Sequence, residues 1–310
     1  MNRSLPVIAA LLASLLATAA HAQRPGASAP PPRIPPATVD TKGEPPAAIA
    51  DDRPACLTPV SRDAGAKARQ DEVLRRVREA TPETARVVFI GDSITEGWEN
   101  AGLEAWKRDF APLGALEIGV GGDRTEHLLW RLQQAPLKPL DPKVIVLMIG
   151  TNNASTGRDT GELITRGVRA VAEELHAQCP AAKVLVLDIP PRGAQMNPLR
   201  GIVLQVNQAL SQVAWPEGVR FVRVADQFAR GDGGIDPAVM PDFLHFSPKG
   251  YDLWARAILP AVTSAMPAPP PPPAPAAPQE PAAAPASEPP QAEPAPAAPP
   301  AANPSPRTGR

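Results

Sequence analysis

Five short apolar runs punctuate the middle of the chain: "RVVFIG" (86–91), "LEIG" (116–119), "KVIVLMIG" (143–150), "KVLVLDIP" (183–190) and "VRFVRV" (219–224). They are β-branched and mostly continuous rather than alternating, the pattern of strands covered on both faces. Between them lie segments with apolar residues at helical spacing. "TEHLLWRLQQA" places Leu128, Leu129 and Leu132 on one face, and "GELITRGVRAVAEELHAQ" does so with Leu163, Ile164, Val168, Val171 and Leu175. "PLRGIVLQVNQALSQV" and "GYDLWARAILPAV" follow the fourth and fifth runs, and a charged amphipathic segment, "SRDAGAKARQDEVLRRVREA", precedes the first. Strand and helix alternating in this way predict an α/β domain with a five-stranded parallel sheet and helices on both faces.

Proline sets the limits of that domain. Of the 43 prolines, 27 fall in two alanine-rich stretches, 23–55 and 265–310. Such stretches bury too little apolar surface to offset the entropy of ordering, so both are expected to be disordered, with polyproline II character. The foldable part is then 57–264, one domain of ordinary size. The first 22 residues carry one basic residue, Arg3, an apolar stretch from Leu5 to Ala20, and a closing Ala20-His21-Ala22. That is the form of a secretory signal peptide cleaved before Gln23, and it predicts an exported protein, periplasmic or secreted, with no membrane span remaining afterwards. A formal net charge of −1 with both signs interleaved offers no basic stripe for nucleic acid and no polybasic patch for an anionic membrane surface. The two cysteines, Cys56 and Cys179, form an even pair, which in an exported chain suggests a disulfide.

The turn residues cluster after the strands: Gly91-Asp92-Ser93, Gly119 to Gly122, Gly150-Thr151-Asn152 and Pro190-Pro191-Arg192. In open α/β sheets that is the edge where ligands bind. Ser93 there raises the question of a nucleophile, which needs a base and commonly an acid to orient the base. After signal cleavage three histidines remain. His127 and His176 lie within helical segments, where an edge-packed or solvated imidazole is the ordinary explanation. His245 instead sits in "MPDFLHFSPKG", three residues after Asp242, a spacing that lets the carboxylate reach Nδ1 and leaves Nε2 free. Backbone N–H groups in the glycine turn and the uncharged amide of Asn152 are suitable donors for an oxyanion. Taken singly, each has a plainer reading, a tight turn for Gly121-Gly122 and a helix cap for Asn152.

In order, "GDSI", "GVGGDRT", "GTNN" and "DFLH" resemble the SGNH hydrolases, also called the GDSL family of esterases and lipases. From Arg86 to about Val262 the chain is similar to platelet-activating-factor acetylhydrolase catalytic subunits, with "HLLWRLQ", "IPPRG" and "NPLR" adding to the likeness. The resemblance implies a flavodoxin-like fold with Ser93 as nucleophile, His245 as base and Asp242 as its orienting acid. It also implies an oxyanion hole made by the N–H of Ser93, the N–H of Gly122 and the side chain of Asn152. Asp92 is then structural. An asparagine is common in close relatives at the position of Glu117, a departure that bears on local hydrogen bonding more than on chemistry.

The expected activity is hydrolysis of carboxylic esters through an acyl-enzyme, with a small acyl group such as acetyl and with a carbohydrate or a phospholipid as competing alcohol parts. No cofactor is expected, and three scattered histidines with two cysteines make no zinc set. The contrasting reading is a non-catalytic carbohydrate- or cell-wall-binding module on the same fold, its proline-rich tail a spacer of roughly 140 Å if fully polyproline II. A nucleotide-binding domain fits less well, because no glycine turn here matches a phosphate-cradling fingerprint.

Overall fold

The computed structural model describes residues 53–267. The signal-peptide expectation, all of the first proline-rich stretch but its last three residues, and the tail from 268 onward lie outside the described residues. Five strands form one sheet: β1 (Val87–Gly91), β2 (Ala115–Glu117), β3 (Val144–Met148), β4 (Lys183–Leu187) and β5 (Val219–Val222). Every pairing is parallel and the order is β2-β1-β3-β4-β5. This is the flavodoxin-like order; four strands fall within the runs predicted from sequence, and β2 begins one residue before its run.

Among the described residues eight α-helices accompany them: α1 (Lys67–Glu79), α2 (Ser93–Glu96), α3 (Leu103–Asp109), α4 (Thr125–Gln134), α5 (Thr151–Ala154), α6 (Gly161–Gln178), α7 (Pro198–Ser211) and α8 (Pro248–Ala265). The longer ones begin where the sequence supplies caps. Thr160, Asn197 and Ser247 each accept a backbone N–H with the side chain, and Pro198 and Pro248 occupy the first helical turn, where a missing N–H costs nothing.

Strand pleating divides the core in two. Val88, Ile90, Ile145, Leu147, Val184 and Val186 point to the face covered by α1, α4, α6 and α7. Val87, Phe89, Val144, Val146, Leu185 and Leu187 point to the other, under α3 and α8. The second face is aromatic. Phe89 meets Phe110 and Trp106 edge-on at 4.8 and 5.0 Å between ring centres, and Trp98 stacks on Trp254 at 4.7 Å. Because all of β1 is buried, its carboxyl end and the residue that follows are fixed by packing on both sides.

The expected disulfide is not formed. Both cysteines are free and buried. The Cys56 thiol donates to the carbonyl of Leu163 in the first turn of α6 (3.2 Å), whereas Cys179 caps the other end of that helix. Sixteen residues of helix at about 1.5 Å each separate those points by about 24 Å, against the roughly 7 Å limit between bridged α-carbons. Burial pushes both thiols up to about 11, so neither is a ready thiolate. Unreduced protein titrated with a thiol-reactive dye should therefore show both thiols in denaturant and almost none in the native state. A native disulfide would leave the denatured chain unreactive.

Candidate active site

β1 ends at Gly91, where there is no room for a side chain: an added Cβ would lie 2.2 Å from Thr95 Oγ1 and 2.4 Å from the carbonyl of Met148. Asp92 follows in extended geometry and caps α2, its Oδ1 accepting the N–H of Ile94 at 3.0 Å. Ser93 is thus the first residue of a helix, with its N–H directed out of the helix and donating to no described residue. Tyr251, buried on α8, donates to the carbonyl of Ile94 at 2.7 Å and pins this turn from the opposite side.

Ser93 Oγ lies 2.9 Å from His245 Nε2, across 152 residues of sequence. On the far side of the ring, Nδ1 is 2.7 Å from Asp242 Oδ2. The other Asp242 oxygen accepts the N–H groups of Leu244 (3.0 Å) and His245 (2.7 Å). Burial draws the Asp242 carboxyl upward, but its bonds from the His245 ring and from these two N–H groups outweigh that, and its acidity is strengthened overall. Folding four residues around one carboxylate places Phe243 at φ 59°, left-handed backbone that a bulky residue adopts only when its surroundings enforce it. One enforcing contact is the N–H of Gly193, which donates to the Phe243 carbonyl at 2.8 Å.

The glycine turn after β2 lies against the serine. A Cβ on Gly121 would come within 3.8 Å of Ser93 Cβ. The resemblance points to Gly122 among the three glycines of this turn, and their hydrogen bonds separate it from the other two. The Gly119 N–H is taken by Glu117 Oε1 and the Gly121 N–H by Glu96 Oε2 (2.6 Å). The Gly122 N–H, on a residue at φ +74° that favours glycine, donates to no described residue. Asn152, at the end of β3, bonds through Nδ2 to the carbonyl of Asp123 at 2.9 Å, so one of its two amide hydrogens holds the turn and the other is left over. Ser93, Gly122 and Asn152 therefore converge where the sheet order reverses between β1 and β3, the crevice in which such sheets bind ligands.

Several residues that build this site were not singled out from sequence. Arg131, 3 % exposed, donates to the carbonyls of Ile118 (2.9 Å) and Gly91 (3.3 Å) and to Asp123 Oδ2 (2.9 Å). Arg192 bonds Thr151 O (2.8 Å) and Ser155 Oγ (2.6 Å), fastening α5 and with it Asn152. Arginines in amphipathic helices and loops look like solvated charge in a sequence, and only the family-like stretches "HLLWRLQ" and "IPPRG" included these two. His127 behaves as expected of a structural histidine. It is buried and takes the N–H of Arg124 on Nδ1, and burial with the Arg124 charge lowers it to about 4.

Residues 89–253 match the GDSL-like Lipase/Acylhydrolase family. The chain belongs to that family. It is a carboxylic ester hydrolase. Among relatives, it is 37% identical to human platelet-activating factor acetylhydrolase IB subunit alpha1 over 185 residues, covering 59% of this chain and 78% of that protein. It is 40% identical to the rat alpha2 subunit over 167 residues, 53% of this chain and 70% of that one. A GDSL-like lipase from Bacteroides thetaiotaomicron shares the fold at 23% identity and a TM-score of 0.52, covering 64% of this chain and 100% of the other. Family membership gives ester substrates, and among the described residues no helix is long and apolar enough to cross a membrane.

Asp92, beside the serine, is buried, and burial pushes its carboxyl up to about 7 against the pull of the Ile94 N–H. Between about pH 4 and pH 7 the native state thus holds a proton that the unfolded chain releases, and stability falls as pH rises through that window. Asparagine keeps the cap without the charge. The thermal midpoint of Asp92→Asn relative to the parent should therefore climb from about pH 4 to about pH 7 and level off above it. A difference that does not change with pH would mean that Asp92 is ionised throughout.

Proposed function

We propose that this GDSL-family hydrolase is an exported esterase for small acyl esters, working through an acyl-enzyme on Ser93. The observation that carries the chemistry is the continuous chain from Ser93 Oγ to His245 to Asp242, at 2.9 and 2.7 Å. Nε2 of His245 takes the serine proton as Oγ attacks the ester carbonyl, while Asp242 holds Nδ1–H and offsets the charge that the ring acquires. The carbonyl oxygen, becoming an alkoxide, is met by the N–H of Ser93, the N–H of Gly122 and the amide of Asn152. His245 then returns the proton to the departing alcohol. Water activated by the same nitrogen attacks the acyl-enzyme and frees Ser93.

Acetyl is the acyl group best supported. The relatives that match over most of their length are acetylhydrolase subunits, and the triad sits at an open edge, with the His245 side chain 44 % exposed and Asp242 56 %. An open edge accommodates a bulky alcohol part more readily than it sequesters a long acyl chain. Export rests on the signal-like first 22 residues.

Ser93→Ala should abolish hydrolysis of p-nitrophenyl acetate with the circular dichroism spectrum unchanged; turnover retained in that variant removes Ser93 from the reaction. Asp242→Asn keeps an acceptor for the two N–H groups but presents the wrong tautomer to the ring. A fall in kcat of about 10³- to 10⁴-fold is expected. His245→Ala, which leaves Ser93 without a proton acceptor, should lower kcat by a comparable factor. Parental turnover in that variant would reject His245 as the base.

A further inference from the structure

The segment before β1 lies outside the family match, yet it delivers two guanidinium groups to the glycine turn. It is fastened to the domain through Cys56 and Val60, and to itself through Gln70. Thr125 Oγ1 donates to the carbonyl of Cys56 (2.8 Å), and the N–H of Val60 donates to the carbonyl of Glu126 (3.3 Å). Gln70, 1 % exposed on α1, accepts the N–H of Arg62 at 2.9 Å and donates to Ser61 Oγ at 3.1 Å. These bonds fix the backbone from which Arg62 reaches the turn.

Arg62 Nη1 donates to the carbonyl of Gly122 at 3.0 Å, and Nε lies 3.6 Å from Asp123 Oδ1. Those last two atoms are buried and have no hydrogen-bond partner, so each is the other's nearest compensation. The guanidinium packs directly against the turn: a Cβ on Gly122 would meet Nη2 at 2.9 Å. At the other end of the turn, Arg69 Nε donates to the carbonyl of Gly119 at 3.1 Å. Arg62 and Arg69 thus hold both ends of a turn containing three glycines.

A turn with glycine at 119, 121 and 122 has unusual conformational freedom, which hydrogen bonding must remove if one N–H is to point in a fixed direction. Displacing a reacting group by about 1 Å can cost about 100-fold in rate. We infer that Arg62 is a positioning residue: by binding the Gly122 carbonyl it orients the turn so that the Gly122 N–H faces the oxygen that develops charge when Ser93 attacks. The inference rests on the proposed role of Ser93. It makes the arm of residues 56–79 a working part of the site as well as an external brace.

The test follows both turnover of p-nitrophenyl acetate and the rate at which a fluorophosphonate, whose phosphoryl oxygen needs the same oxyanion donors, labels Ser93 with loss of fluoride. In Arg62→Ala both kcat and the labelling rate should fall about 10- to 100-fold, with KM changed less than about twofold. Arg62→Lys, which keeps the charge but not the planar fork, should fall between the two and serves where the alanine variant does not fold. Arg75→Ala, on the exposed side of α1, should match the parent. Arg62→Ala with parental kcat and labelling rate, whatever its thermal midpoint, overturns the positioning role and leaves Arg62 as an anchor. A parent protein in which Ser93 is not labelled at all overturns the proposed function and this inference with it, so the two failures are distinguishable.

Discussion

The buried pair between Arg131 and Asp123 ties together the elements on which the site depends. One guanidinium joins the carboxyl ends of β1 and β2 to the glycine turn, through Gly91 O, Ile118 O and Asp123 Oδ2. Ions this deeply buried persist only when their remaining donors and acceptors are also used, which the two carbonyls accomplish for arginine. The carboxylate is less well served. Burial pushes Asp123 up to about 6 despite the pull of Arg131 and Arg62, and its second oxygen has only Arg62 Nε and His127 Nδ1 nearby, at 3.6 and 3.8 Å. Removing one partner of such a pair costs on the order of 3–5 kcal/mol, because the other charge is left stranded.

From that anchor the geometry propagates in short steps. Because β1 and β2 are clamped at their ends, the turns leaving them come into contact, and Glu96 of α2 binds the N–H of Gly121. Asn152 binds the next residue but one, Asp123, and so brings β3 into the same arrangement. The third contribution comes from a loop before α8, where Phe243 is held in left-handed backbone to wrap the chain around Asp242. In the proposed mechanism a rigid sheet edge thus supplies the oxyanion donors, and a strained loop supplies the base. The division is chemically reasonable: donors for an oxyanion work by not reorganising, whereas a base must accept a proton and then hand it on.

The features legible in sequence were those with local causes. Continuous β-branched runs located β1, β3 and β4, because burial on both faces leaves no polar alternation. Ser93, Asp242 and His245 were visible because a serine after a strand and an Asp-x-x-His loop are compact patterns, and the family resemblance joined them. The choice among Gly119, Gly121 and Gly122 needed the structure, since it depends on which N–H groups are consumed by Glu117 and Glu96. The cysteine pairing was misjudged for a related reason: sequence shows an even count but not that α6 holds the two thiols at its opposite ends. Arg62, Arg69 and Arg131 were given no role because nothing in a helical pattern tells which arginine has a buried carboxylate waiting for it.

Glu117 shows how such a partner matters. Its side chain is 5 % exposed and receives the Gly119 N–H, and burial pushes its carboxyl well above the ordinary range. An asparagine at this position would satisfy the turn without any charge. A glutamate does so only with a cation at hand, and Arg69 of α1 provides it at 2.9 Å while also binding the Gly119 carbonyl. Without α1, Glu117 would lose the cation that opposes burial and be driven further toward the protonated form or toward water, and either change would alter the hydrogen bond that shapes the start of the turn. The acidic residue and the N-terminal helix are therefore one unit. This physical dependence sets the domain's beginning at the arm, although the family match starts only at Phe89.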